Sequence, residues 1–456
     1  MRHRAPAVAV AALAWVALAP DASAARPRFG DASGIHVISE RALDGRLIAL
    51  TVSTAALPAP ANVRVLLPAD YGANPDRRYP VLYLLHGTSG GAADWTTQGQ
   101  AEQTTAGLRV IVVMPDIALN DDGGGWCTNW VGDGHSAWET FHVHQLIPWI
   151  DRNLRTISNR QGRAIAGLSQ GGFCSMSYAA RHPDVFETAL SYSGAPDTAY
   201  DLEARLLVTP IINATETLLD QAPANSMFGD RLGDEINWAA HDPTTLANNL
   251  RDTNLFMYTG NGAPGRLDSG PPNSGAMVIE SGVHALNMMF HGRLGALGIP
   301  SRYVDYGPGT HSWPYWARDL RWSIRAIMAD FTNPRPNPTT VTYTSADPQY
   351  TVYGWRVTMH RLVREFSTLQ DAGRFGCTVK GSGSATVVTP AVYRPGRKFM
   401  VTVASRRFVE RASSAGTLTV NVPLGHSNTV QEYPLGGPPT GTRVYTTHVT
   451  IRRVTR

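Results

Sequence analysis

Lysine is almost missing from this sequence: of 40 basic side chains only Lys380 and Lys398 are lysines, and the remaining 38 are arginines. Cysteine is scarce too, with Cys127, Cys174 and Cys377 alone in 456 residues. Disulfides are therefore not the main scaffold, and at most one can form. Cys127 and Cys174 are the pair to consider, with free buried thiols as the alternative, because spacing does not fix geometry. Beyond the first twenty residues no stretch is apolar enough to span a bilayer. HExxH and clustered Cys/His spacings are absent, so neither a metal nor another cofactor is expected. A formal net charge of +4 on a chain this long gives no reason to expect a nucleic-acid partner.

The chain opens Met1-Arg2-His3-Arg4, continues apolar through 5–19 and reaches Ala22-Ser23-Ala24. This order of charge, apolar run and small-x-small site predicts a signal peptide over 1–24 and a secreted protein, extracellular or cell-wall associated. More than 400 residues follow, enough for two domains. The divide falls at Asn333-Pro334-Arg335-Pro336-Asn337-Pro338, a stiff linker over 333–338, because proline lacks an amide donor and restricts its predecessor. The expected domains are 35–332 and 339–456.

In the first domain, short β-branched apolar runs alternate with longer amphipathic ones, as a mostly parallel sheet flanked by helices requires. Strands are expected at 47–57, 63–67, 80–85, 109–114, 163–166, 186–192, 254–259 and 302–306. Helices are expected from Ser136, with Glu139 completing a capping box, to 154, then after Ser169 through 180, over 276–297 and over 315–330. Residues 200–250 read as short helical pieces over the site. In the second domain, short strands at 339–344, 350–358, 385–389, 399–404, 417–422 and 443–452 predict a small all-β sandwich. Residues 335–456 hold 16 basic and only 5 acidic side chains. Solvated surface arginine accounts for such a bias, but it also suits an anionic polymer, so a cell-wall polysaccharide is an expected partner of this domain.

Gly167-Leu168-Ser169-Gln170-Gly171 lies between an apolar strand and an apolar helix. A serine hydroxyl is a poor nucleophile until a base takes its proton. The Gly-x-Ser-x-Gly turn holds Oγ out toward such a base, and the following helix directs its amide and dipole at the developing oxyanion. A glycine-rich segment, His86-Gly87-Thr88-Ser89-Gly90-Gly91, ends another strand. The backbone amides of Thr88 and Gln170 are thus the candidate oxyanion hole.

An α/β-hydrolase places its base after the nucleophile near the end of the domain. His311, in Gly309-Thr310-His311-Ser312-Trp313-Pro314, fits. The acid that orients it is either Glu280, flanked by apolar residues, or Asp268, in a Gly/Pro-rich loop. Trp126, Trp130, Trp313 and Trp316 are available as apolar or sugar-stacking walls, with core packing as the alternative. His86 joins Trp126, Trp313 and Trp316 as a candidate substrate contact.

Taken together, Tyr83-Leu84-Leu85-His86-Gly87, Val112-Val113-Met114-Pro115, Trp138-Glu139-Thr140-Phe141, the Ser169 turn, His241-Asp242-Pro243-Thr244, Tyr258-Thr259-Gly260-Asn261-Gly262 and Gly309-Thr310-His311-Ser312-Trp313-Pro314-Tyr315-Trp316 resemble the antigen 85 mycolyltransferases and their esterase D-like relatives over about residues 45 to 330. The resemblance implies a glutamate acid just over thirty residues before the histidine, which selects Glu280 over Asp268. It also implies acyl transfer through an acyl-serine, from an acyl ester or glycolipid to water or a sugar hydroxyl. The family's transferases carry an aspartate where His86 stands and an arginine where Ser89 stands, both on trehalose, so acyl chemistry is implied more firmly than that acceptor. The alternatives are a carboxylesterase acting on cell-wall or polysaccharide esters and a non-catalytic extracellular binding protein. The sequence leaves the oligomeric state open.

Overall fold

The computed structural model describes residues 26–119, 123–132, 136–431 and 441–454. The expected signal peptide lies outside them. A nine-stranded sheet is built from β1 (Ile35–Ala42), β2 (Leu47–Thr54), β3 (Ala61–Leu66), β4 (Val81–Leu85), β5 (Ile111–Pro115), β6 (Arg163–Leu168), β7 (Thr188–Tyr192), β8 (Asn254–Thr259) and β9 (Arg302–Asp305), in the order β1-β2-β3-β5-β4-β6-β7-β8-β9. Pairing is antiparallel from β1 to β5 and parallel from β5 through β4 to β9. Every residue of β4, β5, β6 and β7 is buried. Helices cover both faces of these strands, which is why their sequences read as continuous apolar runs without alternation. One apolar layer contains Phe141, Trp149 and Phe173, and the opposite one Trp95, Trp316 and Leu320.

The strand at 254–259 has the expected bounds, whereas 47–57 ends early at Thr54, where the chain turns ahead of Pro58 and Pro60. The capping box at Ser136 does not form. Glu139 instead turns inward to the buried Arg181, whose Nε lies 2.7 Å from Oε1, and to His182 Nε2 at 2.7 Å. A buried guanidinium without a carboxylate would cost far more than a missing helix cap. The helix beyond opens with wide π-type turns over Thr140–Leu146 before tightening at Ile147–Asn153.

The second domain pairs a six-stranded antiparallel sheet with a four-stranded one. The six strands, in spatial order, are Val341–Ser345, Ser367–Gly373, Gly376–Gly381, Tyr445–Arg453, Lys398–Val403 and Arg406–Arg411. The four are Gln349–Val352, Trp355–His360, Ser384–Val388 and Thr419–Pro423. Their alternating inward residues, among them Val352, Leu369, Val387, Val401 and Val422, form one core. The single strand expected at 350–358 is a hairpin. Tyr353 and Gly354 both adopt positive φ, 45° and 79°, and reverse the chain between Val352 and Trp355.

The sandwich rests on the first domain through its edge strand Val341–Ser345. Tyr343 Oη donates to the Arg181 carbonyl at 2.6 Å, Thr344 exchanges backbone hydrogen bonds with the Asn249 side chain, and Asp347 reaches Arg181 Nη2 at 3.0 Å.

Candidate active site

Ser169 sits at the turn between β6 and the helix Gln170–Arg181 with φ 52° and ψ −123°, a conformation rarely held by a non-glycine residue. Two glycines make that turn sterically possible. A Cβ on Gly167 would lie 2.2 Å from the Gly171 carbonyl oxygen, and one on Gly171 would lie 2.1 Å from that of His86. The backbone N–H groups of Thr88 and Gln170 donate to no protein acceptor among the described residues, leaving two donors beside Ser169. The Gln170 side-chain amide is assigned with nitrogen on Thr88 Oγ1 at 2.7 Å and oxygen on the backbone amides of Gly125, at 3.1 Å, and Trp126. It ties both oxyanion candidates to the 123–126 loop. A Cys127–Cys174 disulfide joins the same loop to the helix after Ser169, while Cys377 is free and buried.

His311 comes from the loop before the helix Trp313–Thr332, and its backbone N–H donates to the Ala276 carbonyl on the helix Ser274–Ala296. That helix supplies Glu280, fully buried, whose Oε2 lies 2.7 Å from His311 Nδ1. The other Glu280 oxygen accepts from Ser193 Oγ at 2.8 Å and from the Gly260 amide at 2.7 Å. Ser193, at the end of β7 with φ 48°, was not singled out from the sequence; a Ser-Gly step closing an apolar strand is the only local signal. Asp268 lies elsewhere, accepting from Tyr315 Oη at 2.8 Å, the Gly265 amide at 2.7 Å and Thr310 Oγ1. Burial raises its pKa, but these donors outweigh burial and hold the carboxyl below its ordinary value.

Ser169 and His311 line one cavity of about 490 Å³, although no hydrogen bond joins them. Contacts of this kind often tighten only when substrate binds. Thr88, Gln170 and Trp126 also line it, and beyond them its walls are apolar: Leu207, Val208, Ile211 and Leu219 from the segment after Leu202, with Val278, Ile279 and Leu286 from the helix that carries Glu280. Leu218, largely exposed, belongs to the same wall, and Leu206 is exposed on the same segment.

The other expected contacts lie elsewhere. His86 is buried, with Nδ1 on the Gly87 carbonyl at 2.7 Å and Nε2 accepting from the Ile117 amide at 2.9 Å, so it braces the loop rather than facing the cavity. Trp316 is buried edge-on against His311, with ring centroids 4.9 Å apart. Trp130 is also buried. Trp313 borders a second, polar cavity of about 440 Å³ whose walls include Arg41, Asn62, Arg64, Asp94 and Gln98. The two cavities share Ser89.

The model of the esterase family, described as "Putative esterase", matches residues 54–326, a segment that ends before the sandwich. Esterase Rv1288 of Mycobacterium tuberculosis strain H37Rv is 35% identical over 287 residues, covering 62% of this chain and 59% of that protein. The chain therefore spans less than two thirds of that relative's length. Diacylglycerol acyltransferase/mycolyltransferase Ag85B of Mycobacterium leprae is 31% identical over 251 residues, covering 53% of this chain and 73% of that protein. Among solved structures, Mycobacterium tuberculosis MPT51 aligns with a TM-score of 0.51 at 25% identity, over 61% of this chain and 97% of that one.

Proposed function

The chain belongs to the esterase family as an antigen 85-like member, and on that premise we propose that it is a secreted serine acyltransferase or esterase acting on long-chain acyl esters. The single observation that carries this reading is one cavity in which Ser169, the free amides of Thr88 and Gln170, His311 and an apolar groove meet. With Nδ1 turned to Glu280, His311 keeps Nε2 for the serine proton. Oγ of Ser169 attacks the ester carbonyl, and the Thr88 and Gln170 amides stabilise the tetrahedral oxyanion. The oxyanion collapses, His311 returns the proton to the departing alcohol, and the acyl group is left on Ser169. An incoming hydroxyl then gives its proton to His311, attacks the acyl-serine and frees the serine. Glu280 holds the imidazole tautomer and stabilises its cation throughout. The groove's apolar walls suit a fatty acyl chain.

Transfer to a sugar hydroxyl is favoured over hydrolysis by the polar cavity that adjoins at Ser89, where Arg41, Asn62, Arg64 and Gln98 supply donors for a polyhydroxyl acceptor. The plainer reading, a carboxylesterase, uses the same steps with water as acceptor.

Ser169→Ala is expected to abolish p-nitrophenyl ester turnover with the circular dichroism spectrum unchanged; full residual turnover would remove Ser169 from the mechanism. Products formed from trehalose monomycolate and from simple acyl esters, identified by mass spectrometry, separate the two acceptors. Free acid as the only product discards transfer.

A further inference from the structure

A cavity of about 660 Å³, larger than either of the two beside Ser169, lies in the sandwich, and the mechanism does not use it. It opens where the chain ends of four neighbouring strands meet. Seven cationic side chains line it, Arg374, Arg394, Arg397, Lys398, Arg411, Arg452 and Arg453, and no carboxylate does. Among the described residues none of the seven has an ion-pair partner. In the first domain, by contrast, Arg77, Arg163, Arg181, Arg205 and Arg318 all meet carboxylates. Seven like charges around one opening repel one another unless an anion is present.

The rim carries a second feature that solvated arginine does not explain. Phe375, at the turn between Ser367–Gly373 and Gly376–Gly381, is 72% exposed, and Val392 and Val454 are exposed beside it on the same cavity. A soluble anionic polymer matches the charges but leaves these apolar side chains in water. A layer of acidic phospholipid matches both, with phosphates on the arginines and the apolar tips in the acyl boundary. The cleft also sits toward the free side of the six-stranded sheet, because the opposite edge strand, Val341–Ser345, is the one seated on the first domain.

We propose that this cleft and its apolar rim are a docking site for the surface of anionic phospholipid. It is independent of the acyl chemistry assigned to Ser169, so the two can fail separately.

The test uses the full mature chain with sedimented vesicles of phosphatidylcholine, with and without phosphatidylglycerol. Binding is expected only to the anionic vesicles and should fall with added salt. The Arg394→Glu/Arg397→Glu/Lys398→Glu variant should bind them roughly a hundredfold or more weakly, since each basic side chain near an anionic surface contributes on the order of a fivefold gain. Phe375→Ser should weaken binding and make the remainder more salt-sensitive. Both variants alter exposed side chains remote from Ser169, so soluble-ester turnover should match the parent and report intact folding. Equal binding to neutral vesicles, or anionic binding unchanged in the charge-reversal variant, overturns the proposal. So does retention by polyphosphate or a neutral polysaccharide without vesicle binding.

Discussion

Glu280 holds His311 through a 2.7 Å contact to Nδ1, and it does so from a fully buried position in which its second oxygen is already occupied by Ser193 and Gly260. The carboxylate is thus fixed by three elements at once, β7, β8 and the helix Ser274–Ala296. Glu280→Gln keeps the shape but replaces an acceptor with a group that can donate to His311 and select the wrong tautomer. The expected loss in kcat is on the order of 10⁴-fold, as for the equivalent change in a serine protease triad. Asp268→Asn, which disturbs only the contacts to Thr310, Tyr315 and the Gly265 amide, should change kcat less than about tenfold by comparison. Steady-state kinetics on a soluble ester decide between them, and a larger loss at Asp268 would reverse the assignment.

The groove makes a separate claim about chain length. Gly282 lines it, and a Cβ there would stand 3.1 Å from Leu207 Cδ2, so the missing side chain keeps the two walls apart. Gly282→Phe should occlude the space of two or more methylenes. At ~0.8 kcal/mol each, kcat/KM for a dodecanoyl ester should drop about tenfold relative to an acetyl ester. If both esters lose activity in proportion, the acyl chain lies elsewhere.

What the sequence made legible follows a physical rule. Ser169 and His311 stand in motifs whose local backbone does the chemical work, a strained turn and a loop before a helix, so short-range pattern reveals them. Glu280 is fixed by partners 87 and 20 residues away, at Ser193 and Gly260, and composition around it left Asp268 open until family spacing decided. The apolar groove was illegible for a related reason. Leu206 and Leu218 are exposed on a helical segment whose apolar residues do not all face the core, and that defeats an amphipathic reading. Strand β1 escaped notice because six of its eight residues are exposed and its sequence, IHVISERA, shows no sustained alternation. The Tyr353-Gly354 reversal was hidden inside a run that looks continuously β-forming.

The disulfide should matter for both stability and activity. Cys127 and Cys174 are 47 residues apart, and closing a loop of that length limits the unfolded chain by about 4 kcal/mol on the chain-entropy account. The bridge also pins Trp126 and Cys127, both at positive φ, against the helix that begins beside Ser169. Reduction, or Cys127→Ala/Cys174→Ala, should lower Tm clearly and reduce ester turnover below the new Tm, whereas Cys377→Ala should leave the response to reductant unchanged. Differential scanning calorimetry with and without reductant reads this directly; a Tm indifferent to reductant would contradict it.

Stability should also depend on pH through Asp319, on the helix that follows His311. Burial pushes its carboxyl up to about 7 against the pull of Arg318, with Glu280 adding to the rise, and one of its oxygens has no partner among the described residues. An unfolded aspartate titrates near 3.9, so between about pH 4 and pH 7 the native state keeps a proton that the unfolded chain has already released. The protonated native form is favoured at low pH, and this contribution to stability is lost as pH rises through that window. Asp319→Asn mimics the protonated group at every pH. Its Tm should approach that of the parent near pH 4 and exceed it increasingly up to pH 7, after which the gap stays constant. Parallel Tm curves for the two proteins across that range would show that Asp319 does not titrate there.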